Sequence, residues 1–332
     1  MENSTKIAVI GGGSWATAIV KILCNNVDSL SWWVRKEEVA VHIRTFHHNP
    51  NYLQSVELDV AKINVSSDLH DIIKEANILV IATPSAFIDS VFSGIEKKAL
   101  EGKFILSAVK GIVPETFEIP AHYFHRKFNV PSKQIGIVCG PCHAEEVALE
   151  RLSYLTLASE NEDMAVELAT LFSCRYIKTS TSDDLYGTEF SAVLKNVYAL
   201  AGGICAGLGY GDNFQAVLIS NAIQEIERFI DVANPIHRDV KSSAYLGDLL
   251  VTAYSNFSRN RTFGVMIGKG YSVKSAQLEM NMIAEGYYAV KCVHEINKKL
   301  LVDLPIVDAV YEILYNGHNS KLVIEHLTHK LS

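Results

Sequence analysis

The sequence shows no disulfide framework and no basic excess, and neither a secretory leader nor a membrane-spanning apolar run is expected from it; each absence narrows the reading. Its six cysteines (Cys24, Cys139, Cys142, Cys174, Cys205 and Cys292) are scattered, which suits reduced thiols in a cytoplasmic protein. The start "MENSTKIAVIGGG" has no basic segment, long apolar stretch and small-residue cleavage site, so no secretory signal is expected. The longest weakly polar stretch, "NVYALAGGICAGLGYG", reads as too short and too glycine-rich to span a bilayer. A net charge of −7 argues against a nucleic-acid partner, although an acidic chain can hold an anion in a local basic pocket. The twelve histidines show no ligand spacing, and "VHEINKK" lacks the second histidine of a zinc-binding H-E-x-x-H, so no metal site is expected. There is no internal repeat or low-complexity tract.

What is present is a chain of 332 residues, 48% hydrophobic and 20% charged, enough to bury a large core and divide into two domains. The first half alternates apolar bursts of strand length ("KIAVI", "LSWWV", "ILVIA", "FILSA", "GIVCG") with helix-compatible sequence. That pattern suits parallel strands covered on both faces. From about Asp183 the spacing becomes helical in "DDLYGTEFSAVLKNVYALAGG", "NFQAVLISNAIQEIERFI" and "LPIVDAVYEILYNG", and the stretches between read as connections. The expected fold is α/β: a Rossmann-like, doubly wound domain over residues 1–182, followed by an all-α domain over 183–332.

"AVIGGGSWATAIV" places Gly11-x-Gly13-x-x-Ala16 directly between a strand and a helix. The first glycine permits a tight turn, the second lets backbone approach a pyrophosphate, and a small third residue lets helix and strand pack. The helix N-terminus then faces the phosphates. An acid usually ends the second strand of an NAD-binding fold. Here Arg35-Lys36 stand there instead, which favours NADP over NAD, while the adjacent Glu37 and Glu38 admit a plain basic strand end.

From Phe190 to Gly211 the only formal charge is Lys195. Phe190, Val193, Leu194, Val197, Leu200 and Ala201 make one apolar face. Lys195 lies on another with Thr188, Ser191, Ala199 and Gly202, small residues that leave room for a ligand. Burial would lower its pKa and make it a competent proton donor. Two further stretches suit the same ligand. "FILSAVKG" ends a strand at Lys110, and open α/β sheets bind ligands at such ends. "YLGDLLVTAYSNFSRNRTFG" supplies Asp248, then Ser258, Arg259 and Asn260, and arginine can clamp phosphate with two hydrogen bonds. "VCGPCHAEEV" admits three readings: a C-x-x-C redox pair, a C-x-x-C-H haem attachment, or a strand end followed by a ligand-holding loop.

Taken together, "GGGSWATA", "NPNYL", "ATPS", "SAVKG", "GPCHAEEV", "YGTEFSAVLKNVYALAGGICAGLGYGDN", "LGDLLVTAYSNFSRN" and "MIAEG" resemble, in order, bacterial NAD(P)-dependent glycerol-3-phosphate dehydrogenase. The resemblance implies reversible reduction of dihydroxyacetone phosphate to sn-glycerol 3-phosphate for glycerophospholipid synthesis, with the active site between the two domains. By the same resemblance the cofactor contacts are Gly11, Gly13, Ser14, Trp15, Arg35, Lys36, Lys110, Ala144, Arg259, Ile283 and Glu285. The substrate positions are Lys110, Gly140, Cys142, Lys195, Asp248, Ser258, Arg259 and Asn260, with Lys195 catalytic. The opening loop thereby becomes a substrate loop, and its two cysteine motifs coincidences. The chain departs from the family pattern at Ala16, Val109, Cys142 and Tyr245-Leu246. Oligomeric state stays open, a homodimer being one form. A related dehydrogenase of another hydroxy or keto acid, or an inactive nucleotide-binding sensor, are the alternatives.

Overall fold

A computed structural model describes residues 5–280 and 284–332. The chain forms two compact units, one made of Met1–Thr83, Phe87–Val109 and Pro120–Leu185, the other of Pro84–Ala86, Lys110–Ile119 and Tyr186–Ser332.

The first unit is built on an eight-stranded sheet. In chain order the strands are β1 (Ile7–Ile10), β2 (Leu30–Trp33), β3 (Ile63–Ser66), β4 (Ile78–Ile81), β5 (Phe104–Ser107), β6 (Ile135–Cys139), β7 (Ser153–Ser159) and β8 (Ile177–Ser182). Their spatial order is β3-β2-β1-β4-β5-β6-β7-β8. Pairing is parallel except between β6 and β7, which run antiparallel. The first six strands have the order of dinucleotide-binding sheets, with the reversal beside β1 and β4. Helices α1 (Ser14–Leu23), α2 (Glu37–Phe46), α3 (Leu69–Glu75), α4 (Ile88–Val91), α5 (Pro120–Phe128), α6 (Ala144–Ala148) and α7 (Glu162–Phe172) complete this unit. Strands β1, β4, β5 and β6 are buried at every residue, which is why they stand out as unbroken apolar runs. Strands β3, β7 and β8 lie outside the apolar bursts read as strands from the sequence. In β3 the buried Ile63 and Val65 alternate with exposed or half-exposed polar residues, and β8 buries only Ile177, as expected at the two edges of a sheet.

The second unit is helical: α8 (Leu185–Gly207), α9 (Asp212–Ala233), α10 (Asp248–Tyr254), α11 (Arg259–Gly268), α12 (Val273–Glu279), α13 (Glu285–Leu300), α14 (Pro305–Leu314) and α15 (Ser320–Thr328). Four of these, α10 to α13, lie where connections were expected, and α15 follows the last segment read as helical. They are short or, in α13, have their apolar residues divided by charged and polar ones, so no long apolar run marks them. Helix α8 is buried on every side from Gly187 to Cys205, rather than along one stripe. It runs for 23 residues, beyond the length expected of it, and is the one helix among the described residues long and apolar enough to cross a bilayer. Most of it is buried inside the protein, and that burial accounts for its composition.

Helices α8 and α11 touch backbone to backbone. A Cβ on Gly264 would lie 3.0 Å from the Gly203 Cα, and one on Gly207 would lie 2.9 Å from the Gly268 Cα. Two glycines four residues apart on each helix remove the side chains that would keep the axes separated. This contact joins α11 to the C-terminal end of α8, and Asn260, in the first turn of α11, reaches Asn196 at 2.9 Å near the middle of α8.

Candidate active site

In the first unit the loop between β1 and α1 is specified by its carbonyl groups. The Trp32 indole N–H donates to the Gly11 carbonyl at 2.6 Å, the Asn49 amide to Gly12 at 3.1 Å, and the Thr17 hydroxyl to Gly13 at 3.0 Å. All three oxygens therefore turn into the protein. The first amides of α1 have no acceptor within the helix, which makes this end an anion cradle. Gly11 has φ +139°, and a Cβ there would lie 2.7 Å from the Ala82 carbonyl carbon, so the protein itself demands glycine. A Cβ on Gly13 would meet nothing within 4 Å; the space beside it is open, as close approach of a dinucleotide requires. Ser14 and Trp15 begin α1. Sequence reading passed over Trp32, Thr17 and Asn49, although "NPNYL" contains the last of these.

Arg35 and Lys36 follow β2 and are exposed. Lys36 pairs with Glu38 at 3.0 Å, while Glu37 is turned toward Arg44 at 2.6 Å and the Ser67 hydroxyl at 2.7 Å. The acid beside the basic pair is thus engaged elsewhere. Beyond β6, Gly140 has φ +111°, and a Cβ would lie 2.8 Å from the Tyr154 carbonyl. Cys142 and Ala144 belong to the same apolar cluster as Ala16. Cys139 is buried with its sulfur 3.6 Å from the Thr156 carbonyl oxygen. Both cysteines of the C-G-P-C run are free thiols.

In the second unit Lys195, Asp248 and Lys110 converge. Lys195 is 3% exposed and Asp248 1%. The Lys195 ammonium contacts one carboxylate oxygen of Asp248, and Lys110 lies 3.4 Å from the other. Asp248 opens α10 immediately after a π-helical turn over Ser243–Gly247 that includes the buried Tyr245, a local geometry frequent at functional sites. Burial pulls the Lys195 ammonium below its ordinary pKa; Asp248 opposes that shift and Lys110 adds to it. Burial also works to raise the Asp248 carboxyl, but the two ammonium groups outweigh it and hold the carboxyl below its ordinary value. The result is an ionised carboxylate between two lysines, one of which is readily deprotonated.

Asn196 ties this group together. Its amide donates to the Lys110 carbonyl at 2.7 Å, and its oxygen accepts from the Asn260 amide at 2.9 Å. The Asn260 oxygen accepts from the Gly286 N–H at 2.9 Å. Asn260, expected to bind substrate, thus has its side chain committed to joining α8, α11 and α13. Ser258 is the N-cap of α11, its hydroxyl accepting from the Arg261 N–H at 3.3 Å, and Arg259 is the first residue of that helix. Glu285 opens α13, and its carboxylate accepts from the Ser85 N–H at 3.0 Å and from the Ser85 hydroxyl. The small face expected to leave room beside Lys195 is closed at Gly202, whose carbonyl accepts from Gln215 at 2.7 Å. Ile283 lies outside the described residues. Of the site residues read from sequence, Gly11, Gly13, Ser14, Trp15, Arg35, Lys36, Gly140, Cys142 and Ala144 belong to the sheet unit, and Lys110, Lys195, Asp248, Ser258, Arg259, Asn260 and Glu285 to the helical unit. Asn196 and Ser85 were missed, although both stand inside the runs quoted above, Asn196 directly after Lys195 and Ser85 at the end of "ATPS".

Two family models match the chain: the NAD-dependent glycerol-3-phosphate dehydrogenase N-terminus over residues 6–165, and the C-terminus of the same family over 184–325. Proteins named glycerol-3-phosphate dehydrogenase (NAD(P)+) from Staphylococcus aureus strain USA300 and Clostridium botulinum strain Eklund 17B are each 34% identical, and each comparison covers 97% of both chains. The crystal structure of glycerol-3-phosphate dehydrogenase from Coxiella burnetii superposes with a TM-score of 0.91 at 25% identity, covering 98% of this chain and 99% of that one. A D-mandelate dehydrogenase with NADH superposes at 0.60 and 18% identity over 94% and 98% of the two chains, a likeness of fold alone.

Proposed function

The chain belongs to the NAD-dependent glycerol-3-phosphate dehydrogenase family, and from that premise we propose how its residues carry out the reversible NAD(P)H-dependent reduction of dihydroxyacetone phosphate to sn-glycerol 3-phosphate. The product enters glycerophospholipid synthesis. The observation that carries the residue assignment is the buried Lys195–Asp248–Lys110 group.

The inward-turned carbonyls of the glycine loop and the open space at Gly13 suit the pyrophosphate of a dinucleotide, with Ser14, Trp15, Arg35, Lys36 and Ala144 as further contacts. When bound, the reduced nicotinamide supplies the hydride that reaches the carbonyl carbon of the substrate. Lys195 gives its proton to the carbonyl oxygen as the negative charge develops there; its lowered pKa makes that transfer easier than from an ordinary lysine. Lys110 polarises the same oxygen. Asp248 remains ionised throughout, orienting Lys195 and balancing the second ammonium. Arg259, at the start of α11, holds the phosphate with the help of that helix N-terminus, so that binding energy remote from the carbonyl positions it.

NADP as the favoured cofactor is part of this proposal, resting on the exposed Arg35 and on the engagement of Glu37 by Arg44 and Ser67. So are a cytoplasmic location, which the free thiols support, and a homodimer, to be examined by analytical ultracentrifugation. The deciding assay is oxidation of NADPH and NADH, separately, with dihydroxyacetone phosphate. Stoichiometric formation of glycerol 3-phosphate is expected, and absence of turnover with both cofactors would reject the activity.

A further inference from the structure

The Ser85–Glu285 pair stands apart from the proton-transfer group, yet three segments of the helical unit meet at it and a fourth, α8, packs on the next residue. Glu285 is the first residue of α13, and both of its carboxylate oxygens are occupied by Ser85, through the backbone N–H at 3.0 Å and the hydroxyl. Ser85 has no exposed surface. Gly111, immediately after Lys110, packs directly on the pair: a Cβ there would lie 2.8 Å from the Ser85 Cβ and closer still to oxygens of both partners. The next residue of α13, Gly286, presses on α8, where its Cβ would lie 2.5 Å from the Asn196 carbonyl oxygen. Asn196 in turn holds the Lys110 carbonyl at 2.7 Å. The Lys110 backbone is therefore fixed on two sides, by Asn196 at its carbonyl and by the Ser85–Glu285 pair against the following Cα.

We propose that Ser85 and Glu285 form a positioning pair for the reaction, setting where the Lys110 ammonium stands relative to Asp248 and Lys195. Family resemblance gives Glu285 a different task, contact with the cofactor; Ser85 was given none. The pair acts through backbone placement. Its carboxylate accepts both Ser85 hydrogens most strongly when ionised; burial draws that carboxyl above its ordinary pKa, while the two Ser85 donors and the positive charge of Arg259 oppose the rise. Loss of the Ser85 hydroxyl therefore raises the pKa further, and the pair comes apart at a higher pH.

The inference rests on the proposed ketone reduction, and two readouts keep the two separable. The first is kinetic and relative to wild type. Ser85→Ala and Glu285→Gln should each lower kcat by at least about tenfold, within the roughly 100-fold that a misplacement of about 1 Å can cost. The KM for cofactor should barely change. The double variant should be no worse than the poorer single one, because both remove the same interaction. The acid limb of the kcat profile should move to higher pH in Ser85→Ala. Wild-type kcat in Ser85→Ala, or an effect of Glu285→Gln confined to the cofactor KM, would overturn the pair and leave the ketone reduction standing. The second readout needs no turnover. Amide hydrogen exchange in the peptide carrying Lys110 and Gly111 should accelerate in Ser85→Ala while the β1–α1 peptide is unchanged. Unchanged exchange at Lys110–Gly111 overturns the proposal even for an enzyme inactive on dihydroxyacetone phosphate.

Discussion

A lysine ammonium enclosed by apolar helices is costly unless something nearby carries the opposite charge, and Asp248 does so for two of them at once. The distinction between Lys195 and Arg259 follows from what each group meets. Lys195→Ala should fold, bind cofactor and lose kcat by at least about 100-fold, the scale of a removed proton donor. Arg259→Ala should chiefly raise KM for the phosphorylated substrate, with a smaller fall in kcat. Near-normal kcat in folded Lys195→Ala would transfer the donor role to Lys110. A second outcome follows from charge alone. If Lys195 is the proton donor proposed above, ketone reduction needs it protonated, so the rate should fall with rising pH well below the ordinary lysine range. Lys110→Ala removes a neighbouring positive charge and should shift that fall to higher pH, whatever its effect on the maximum.

Glu225 poses the same electrostatic question away from the chemistry. It is fully buried, accepts from the Ile306 and Val307 N–H groups at the start of α14 at 2.7 and 3.4 Å, and from the Tyr198 hydroxyl at 3.2 Å. Burial pushes its carboxyl up to about 8 against those donors and the nearby Arg228. A folded-state pKa above the unfolded one means the folded protein holds the extra proton, so this contribution is complete below about 4.5 and is lost as pH rises through about 8. Each unit of upward shift withdraws about 1.4 kcal/mol. Glu225→Gln should therefore gain stability relative to wild type between about pH 5 and pH 8, measured by chemical denaturation. A constant difference across that range would mean that Glu225 is not protonated in the folded protein.

At the scale of elements, the α8–α11 contact gives glycine a steric rather than conformational task. Gly264→Ala places a methyl group against the Leu200 carbonyl oxygen, 2.8 Å from the Ile204 nitrogen, and backbone atoms cannot rotate away. The expected loss is about 1–3 kcal/mol, the usual cost of overpacking, visible as a lower denaturation midpoint. Arg259 should move with its helix, so KM for the phosphorylated substrate should rise as well; wild-type stability would show that the helices can separate freely. The element scale also shows what is readable from sequence. β1, β4, β5 and β6 announce themselves because both faces are covered, whereas β8, "IKTSTS", buries only Ile177 and offers a pattern no different from a polar loop. In α13 the buried pairs Ala289-Val290 and Cys292-Val293 are split by Lys291 and followed by a polar second half, and only the packed helix makes sense of them.

For the whole molecule, the residues proposed to hold the cofactor and those proposed to move the proton belong mostly to different units, and their legibility differs too. Lys195 is visible because no other charge lies near it in sequence, and the glycine loop because its spacing is local. Asp248, 53 positions away from Lys195, carries no local sign of its partner. Asn196 bonds to residues 86 positions back and 64 ahead, and Trp32 and Asn49 reach the glycine loop from later segments. Such contacts exist only once the chain is folded. The same division yields a test of cofactor choice. Arg35 belongs to the sheet unit and Lys195 to the helical unit, so cofactor affinity can be measured in an inactive Lys195→Ala background without turnover. There Arg35→Ala should weaken NADPH by roughly tenfold, the lower end of what a hydrogen bond to a charged group contributes, because Arg35 is exposed. NADH, which has no 2′-phosphate, should bind almost as before. Salt provides a control, since an exposed arginine–phosphate contact weakens with ionic strength, and the NADPH preference should shrink as salt rises. Equal losses for both cofactors would move Arg35 from the 2′-phosphate to a part of the dinucleotide that NADH and NADPH share.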